Sequence, residues 1–173
     1  MKKDWLNELD VLGQSPLTRA AKSGRTEMTT LLLLQEANET PQNFRELPEL
    51  QRAACWGFAD VIAELIQEGA DVDVEDEQGE TALHKAVRLG NYDAAKALLE
   101  WGASVNLTDS LGMTALHWAA LTGNAEMTEL LLANYADVDA RDHVAGGVTP
   151  KSVAAILGHR EIVSLMQNRF AFF

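Results

Sequence analysis

The sequence has little of what enzymes, membrane proteins and disulfide-stabilised proteins require. Its 173 residues include one cysteine, Cys55, which excludes an internal disulfide and fits a reducing compartment. The leucine run at residues 31–34 is far shorter than the ~20 apolar residues that span a bilayer. Lys2 and Lys3 are not followed by the apolar segment of a secretory signal. These absences predict a soluble, cytoplasmic protein.

Motifs for catalysis and metal binding are also missing. The chain has no phosphate-binding loop, no dinucleotide-binding glycine pattern, no H-E-x-x-H and no cysteine-rich metal spacing. Residues 71–80 resemble the start of a calcium-binding EF-hand loop, but Asp76 stands at the glycine position and Ala82 at the final glutamate position. We therefore expect no catalytic residue, no cofactor and no metal site.

Basic residues are scarce in one region. The formal net charge is −12, and residues 36–80 carry thirteen acidic residues against only Arg45 and Arg52. Six of the acids crowd into residues 71–80: Asp71, Asp73, Glu75, Asp76, Glu77 and Glu80. This field repels nucleic acids and favours a partner with a basic patch. The alternative is a solvated acidic face that only aids solubility.

An internal repeat organises the chain. Residues 76–108 and 109–141 are two copies of a 33-residue unit, in which Gly79 aligns with Gly112 and Thr81 with Thr114. Extending the period, with a two-residue insertion near residues 145–146, predicts a single domain of five repeats. Its parts are an N-terminal cap at 1–9, repeats at about 10–42, 43–75, 76–108, 109–141 and 142–170, and a tail at 171–173.

Each repeat has the pattern of two short helices. Thr81 and Thr114 precede apolar residues at helical spacing, where a hydroxyl caps free N–H groups. Gly90 and Gly123 end the first helix of each copy, and second helices are predicted at about 94–100 and 125–133. Tyr135 stands where the preceding repeat has a glycine, which predicts a strained or reshaped turn. The predicted fold is all-α.

The repeated pattern D-x-x-G-x-T-A-L-H-x-A resembles the ankyrin repeat. The resemblance implies a solenoid of helix-turn-helix units joined by β-hairpin-like turns, here called fingers. It also implies that His84 and His117 bridge to the backbone of the neighbouring finger, and that His159 occupies a consensus place at the start of a second helix. The repeat at 43–75 departs from the pattern, because Pro48 replaces Thr and Gln51 replaces His.

The resemblance further implies a partner surface made of finger tips and of the C-terminal ends of the first helices. Carried over position by position, it predicts these partner-binding residues: Trp56, Glu77, Gln78, Glu80, Arg88, Leu89, Ser110, Leu111, Met113, Trp118, Leu121, Thr122, His143 and Val144. Several of them are apolar although they are expected to face solvent, which is typical of interfaces. We expect a groove with an acidic N-terminal half and an apolar C-terminal half; the alternative is that some apolar members pack between repeats.

The function expected is non-catalytic binding of another protein, with no binding of nucleic acid or membrane. A stoichiometric inhibitor or immunity-type protein that masks a basic or catalytic surface is one alternative, and an assembly scaffold or subunit is another. We expect a monomer, with self-association through the apolar half left open. Phe170, Phe172 and Phe173 are predicted to cover the last helix, or alternatively to serve as a docking tail.

Overall fold

The structure is a computed structural model that describes residues 47–143 and 147–167. Eight α-helices form its regular structure and follow one another in four pairs. They are α1 Glu49–Trp56 and α2 Ala59–Gln67, α3 Ala82–Leu89 and α4 Tyr92–Glu100, α5 Ala115–Thr122 and α6 Ala125–Ala133, and α7 Pro150–Leu157 and α8 Arg160–Gln167. The all-α prediction is therefore confirmed. The predicted N-terminal cap, the first repeat and the aromatic tail lie outside the described residues.

The pairs stack in chain order. The first helices α1, α3, α5 and α7 pack in one layer, and the second helices α2, α4, α6 and α8 pack in another. Leu50, Leu83 and Leu116 hold the same repeat position and are all buried in one continuous apolar core. Helices of eight or nine residues are marginal alone in water, so this stacking supplies most of their stability.

The helix ends follow the chemistry expected from the sequence. Thr81 and Thr114 each form a reciprocal capping box with the histidine three residues later. Gly90 and Gly123 end the first helices in the left-handed conformation. Tyr135 adopts φ of 65°, the only positive φ at a non-glycine residue in the described ranges, so the predicted strained turn is present.

The repeat at 43–75, which departs from the pattern, still has a side-chain hydrogen bond to the backbone of the next finger. Gln51 supplies it in place of a histidine. Gln51 Nε2 donates to the carbonyl oxygens of Glu80 (2.8 Å) and Val74 (3.0 Å). In the next two repeats a histidine Nδ1 also accepts the N–H of the helix-capping residue. Pro48 has no N–H to donate, so the side chain at position 51 needs only the donor that glutamine supplies.

The fingers are tight turns closed by Asp76, Asp109 and Asp142. In each finger the N–H of the aspartate donates to a backbone oxygen further along the turn, at Glu80 (3.0 Å), Met113 (2.9 Å) and Val148 (3.1 Å). Within the described residues their only β-type pairing is an isolated antiparallel bridge between Thr108 and Thr114. Neighbouring fingers are tied by backbone hydrogen bonds, from Ser110 N to Gln78 O (2.9 Å) and from His143 N to Leu111 O (2.8 Å).

Candidate partner-binding surface

The C-terminal ends of the first helices form a row on the stack. The row pairs Cys55 with Trp56, Arg88 with Leu89, Leu121 with Thr122 and Ile156 with Leu157 at equivalent repeat positions. Its apolar members are unusually open to solvent: Leu89 is 53% exposed, Leu121 43% and Ile156 76%. The predicted exposure of Leu89 and Leu121 is confirmed, whereas Trp56, also predicted to face solvent, is half-buried like Cys55. We call these eight residues the helix-end row.

Most of the predicted finger-tip residues are exposed to solvent, but not all of them. Glu77, Gln78, Ser110, Leu111 and His143 are exposed, and backbone hydrogen bonds between fingers hold them in sequence along the stack. Met113 is half-buried, and Val144 lies outside the described residues. The exposed tips therefore form a second row beside the repeat core.

Glu80 is not a solvent-facing finger residue, and that part of the prediction is wrong. Its side chain is 8% exposed and accepts from Lys85 Nζ, while Arg88 Nη2 lies 3.2 Å from Glu80 Oε2. Lys85 Nζ also lies 2.7 Å from Asp76 Oδ2, and both side chains are buried. Two of the six crowded carboxylates are therefore neutralised inside the protein and contribute little to a field that a partner could sense.

Asp76 organises its finger through both carboxylate oxygens. Oδ1 accepts from the backbone N–H groups of Gln78 and Glu80, each at 2.9 Å. Burial raises the pKa of Asp76, but the hydrogen bond from Lys85 and those from the backbone outweigh burial and hold the pKa below its ordinary value. The carboxylate is thus ionised and belongs to the architecture of the finger.

In the next repeat an indole N–H, instead of a lysine ammonium, contacts the aspartate of the finger. Trp118 occupies the position equivalent to Lys85, and its Nε1–H donates to Asp109 Oδ2 at 3.1 Å. The guanidinium carbon of Arg88 lies 5.3 Å from the centroid of the Trp118 ring. Trp118 is consequently half-buried and supports a finger, so its replacement would disturb structure as well as any partner contact.

His84 and His117 have the structural role that the resemblance implied. The Thr81 N–H donates to His84 Nδ1 (3.1 Å), and His84 Nε2 faces the carbonyl oxygen of Met113 (3.2 Å). Because one neighbour only donates and the other only accepts, the ring is neutral with its hydrogen on Nε2. His117 makes the same contacts with Thr114 and Val148. Burial lowers the pKa of both histidines.

The remaining residues that could carry chemistry are Cys55, His159 and the side chains able to bind a metal. Burial raises the pKa of the Cys55 thiol, which disfavours the nucleophilic thiolate. No group of three or more His, Cys, Asp or Glu side chains in residues 47–143 and 147–167 is placed to hold a metal ion. The His159 ring packs against Gly123, where an added Cβ would lie 2.7 Å from the ring, so this histidine spaces two repeats.

A family profile for ankyrin repeats, described as three copies, matches residues 38–109 and 105–171. The chain belongs to the ankyrin-repeat family. Members of this family are generally non-enzymatic modules that bind other proteins. No curated protein matches the chain. No helix in the described part of this ankyrin-repeat protein is long and apolar enough to cross a membrane.

Sequence reasoning missed one concave feature of this ankyrin-repeat protein. A groove of about 640 Å³ lies between α2 and α4, on the layer of second helices. Trp56, Phe58 and Trp101 line it. A signal was present in the sequence, because these three residues stand where the equivalent positions of the later described repeats hold no phenylalanine, tyrosine or tryptophan.

Proposed function

We propose that this ankyrin-repeat protein is a non-catalytic interaction module that binds a partner protein through its finger tips and its helix-end row. The observation that carries the proposal is the exposure of Leu121 and Ile156 at one repeat position and of Leu89 and Leu157 at the next, with Leu111 exposed on a finger. Isolated exposed leucines are common on proteins, but a repeated row of them is typical of an interface.

Charge supports a basic contact on the partner. Asp71, Glu75 and Glu77 are exposed on the finger side of the stack, unlike Asp76 and Glu80. With a net charge of −12, the protein attracts a basic surface and repels nucleic acid phosphates. We further propose that the protein acts as a cytoplasmic monomer, and self-association through the helix-end row is an outcome that the test below detects.

Two narrower roles fit the same surface. A stoichiometric inhibitor or immunity-type protein would cover a basic or catalytic surface of its partner, and the exposed acids favour this role. An assembly scaffold or subunit would bind without changing the partner's activity. An activity assay of the captured partner, with and without this protein, separates the two.

The test uses Leu89→Ser/Leu111→Ser/Leu121→Ser, which changes only exposed side chains and leaves the Trp118–Asp109 hydrogen bond intact. Tyr135→Ser is the control, because it removes a large side chain that is 70% exposed and belongs to neither row. Wild type and variants are compared in pull-downs at low and high salt, with circular dichroism as the folding check.

We expect a stoichiometric partner that the triple variant loses and the control keeps, with weaker capture at high salt. Capture that is equal for wild type and a folded triple variant would refute the proposed surface. If the pull-down captures only further copies of this protein, and sedimentation shows a dimer, then the surface binds a second copy of this chain and not a different protein.

A further inference from the structure

The groove between α2 and α4 is built by residues that break the repeat. Phe58 occupies the position held by Asn91 and Asn124 in the next two repeats. Asn124 Oδ1 caps its helix by accepting the Met127 N–H at 2.9 Å, and Asn91 Nδ2 donates to Ala54 O and Cys55 O. Phenylalanine can make neither kind of hydrogen bond. The N-terminus of α2 therefore lacks a side-chain cap, and the Phe58 ring lines the groove instead.

Two tryptophans complete the aromatic lining. The Trp56 and Phe58 ring centroids lie 6.4 Å apart with an interplanar angle of 44°, at the N-terminal end of α2. Trp101 follows α4 directly and is 42% exposed, where the equivalent residue of the next repeat is Asn134. The groove therefore has aromatic residues from two separate turns, and Ala59, Ala63 and Ala97 leave it open between the helices.

Carboxylates line the same groove. Asp60 and Asp93 stand in the first turns of α2 and α4, and Glu100 ends α4. Among the residues that the structure describes, Lys96 is the only basic side chain that lines it. Its Nζ lies 4.0 Å from Glu100 Oε1, and both side chains are more than half exposed. An exposed pair at this distance is weak, so the groove keeps an excess of negative charge.

We propose that this groove binds a lysine or arginine side chain from a basic segment of a partner protein. Aromatic faces attract cations, and carboxylates at the edge supply the opposite charge and accept hydrogen bonds. An anionic ligand would be repelled by three carboxylates, and a purely apolar one would desolvate them without compensation. The groove lies between second helices, whereas the surface proposed above consists of fingers and first-helix ends and shares only Trp56 with it. Either surface can fail its test without the other.

The test is an NMR titration of the full chain, labelled with ¹⁵N in tryptophan, with the peptide acetyl-Gly-Lys-Gly-Arg-Gly-amide. We expect the indole N–H signal of Trp101 to move in a saturable way, with a smaller change at Trp118. In Trp101→Ala, where the Trp101 signal is absent, binding is measured from the Trp56 indole signal. This substitution should weaken the affinity for the peptide about three- to five-fold, the range of an exposed cation–π contact. Asp60→Asn/Asp93→Asn/Glu100→Gln should weaken it about ten-fold or more.

A matched control separates the groove from the general charge of the protein. Glu126→Gln/Glu129→Gln/Glu161→Gln removes the same charge from exposed residues of α6 and α8, and Glu126 is the repeat equivalent of Asp93. The control should keep at least half of the wild-type affinity. Equal weakening by both triple variants would overturn the proposal, because it would show non-specific attraction.

Two further outcomes would also overturn it. A peptide with norleucine and citrulline in place of lysine and arginine should bind at least ten-fold more weakly; equal binding would make the groove an apolar site. If the Trp101 signal is unmoved by the basic peptide but shifts with protein concentration, the groove's occupant is a second copy of this chain.

Discussion

The buried charge network of the Asp76 finger allows a quantitative prediction. Lys85 Nζ contacts both Asp76 and Glu80, and the three side chains are 3% to 8% exposed. Lys85→Met removes the cation and leaves two buried carboxylates, with Arg88 as the only basic partner of Glu80 that remains in the described part of the chain. We expect this substitution to be strongly destabilising.

The magnitude follows from the desolvation of the orphaned carboxylates. Removing one partner of a buried ion pair costs ~3–5 kcal/mol in the free energy of unfolding. Arg88 remains beside Glu80 and its side chain is 39% exposed, so it compensates in part. We therefore expect a loss of about 3 kcal/mol, near the lower end of that range.

The chain itself offers a compensating design. The Asp109 finger has Met113 and Trp118 where the Asp76 finger has Glu80 and Lys85. Glu80→Met/Lys85→Trp places the residues of the Asp109 finger in the Asp76 finger, so that an indole N–H replaces the ammonium as donor to Asp76. Because the change removes the orphaned Glu80 together with its cation, we expect the double variant to lie within ~1 kcal/mol of wild type.

Urea unfolding followed by circular dichroism measures these differences. At an m-value of ~2–3 kcal/mol/M, a loss of 3 kcal/mol lowers the midpoint by about 1 M. Lys96→Met, which removes an exposed lysine of α4, is the control and should change stability by less than ~0.5 kcal/mol. A Lys85→Met midpoint equal to that of the control would refute the assignment of the network. A double variant as unstable as Lys85→Met would refute the proposed equivalence of the two fingers.

Three other predictions concern pH and backbone conformation. Burial holds the pKa of His84 and His117 below 6.5, so below that pH the unfolded chain binds protons that the folded chain does not. Each histidine then removes up to ~1.4 kcal/mol of stability per pH unit. The urea midpoints of His84→Gln at pH 7.5 and 5.5 should differ by less than those of wild type, and an unchanged difference would contradict this. Tyr135→Gly should raise the unfolding free energy by about 1 kcal/mol by relieving φ of 65°, and Gly102→Tyr at the equivalent turn should lower it similarly; no change in either midpoint would speak against backbone strain. Gly112→Ala should cost about 2 kcal/mol or more, since its Cβ would lie 2.7 Å from the His143 ring at φ of 76°; a thermal midpoint equal to wild type would show that the finger can shift to make room.

Most of the local architecture could be predicted from the sequence. The 33-residue period, the threonine caps and the glycine helix ends depend on the conformational preferences of a few neighbouring residues, and the structure has each of them where expected. The strained turn at Tyr135 was predictable for the same reason, because it requires only a missing glycine at a known repeat position.

The candidate surface was predictable only in part. Leu89 and Leu121, at two adjacent repeat positions on the ends of first helices, are exposed as expected, because the repeat itself determines which way these positions point. Glu80 has the sequence context of an exposed acidic turn, yet it is buried against Lys85 and Arg88 from the following helix. Trp118 was expected to face solvent. Instead its Nε1–H donates to Asp109, and the Arg88 guanidinium of the preceding repeat lies over its ring.

The sequence by itself determined the repeat and its helices, since these depend on spacing along the chain. The bridging role of the histidines was implied by the family resemblance. Tertiary structure decided which acidic residues are neutralised and where aromatic residues meet. Phe58 and Trp101 are separated by more than one repeat, and only the packing of α2 beside α4 makes them line one groove. Burial and charge pairing depend on distances between neighbouring repeats, which a linear spacing does not specify.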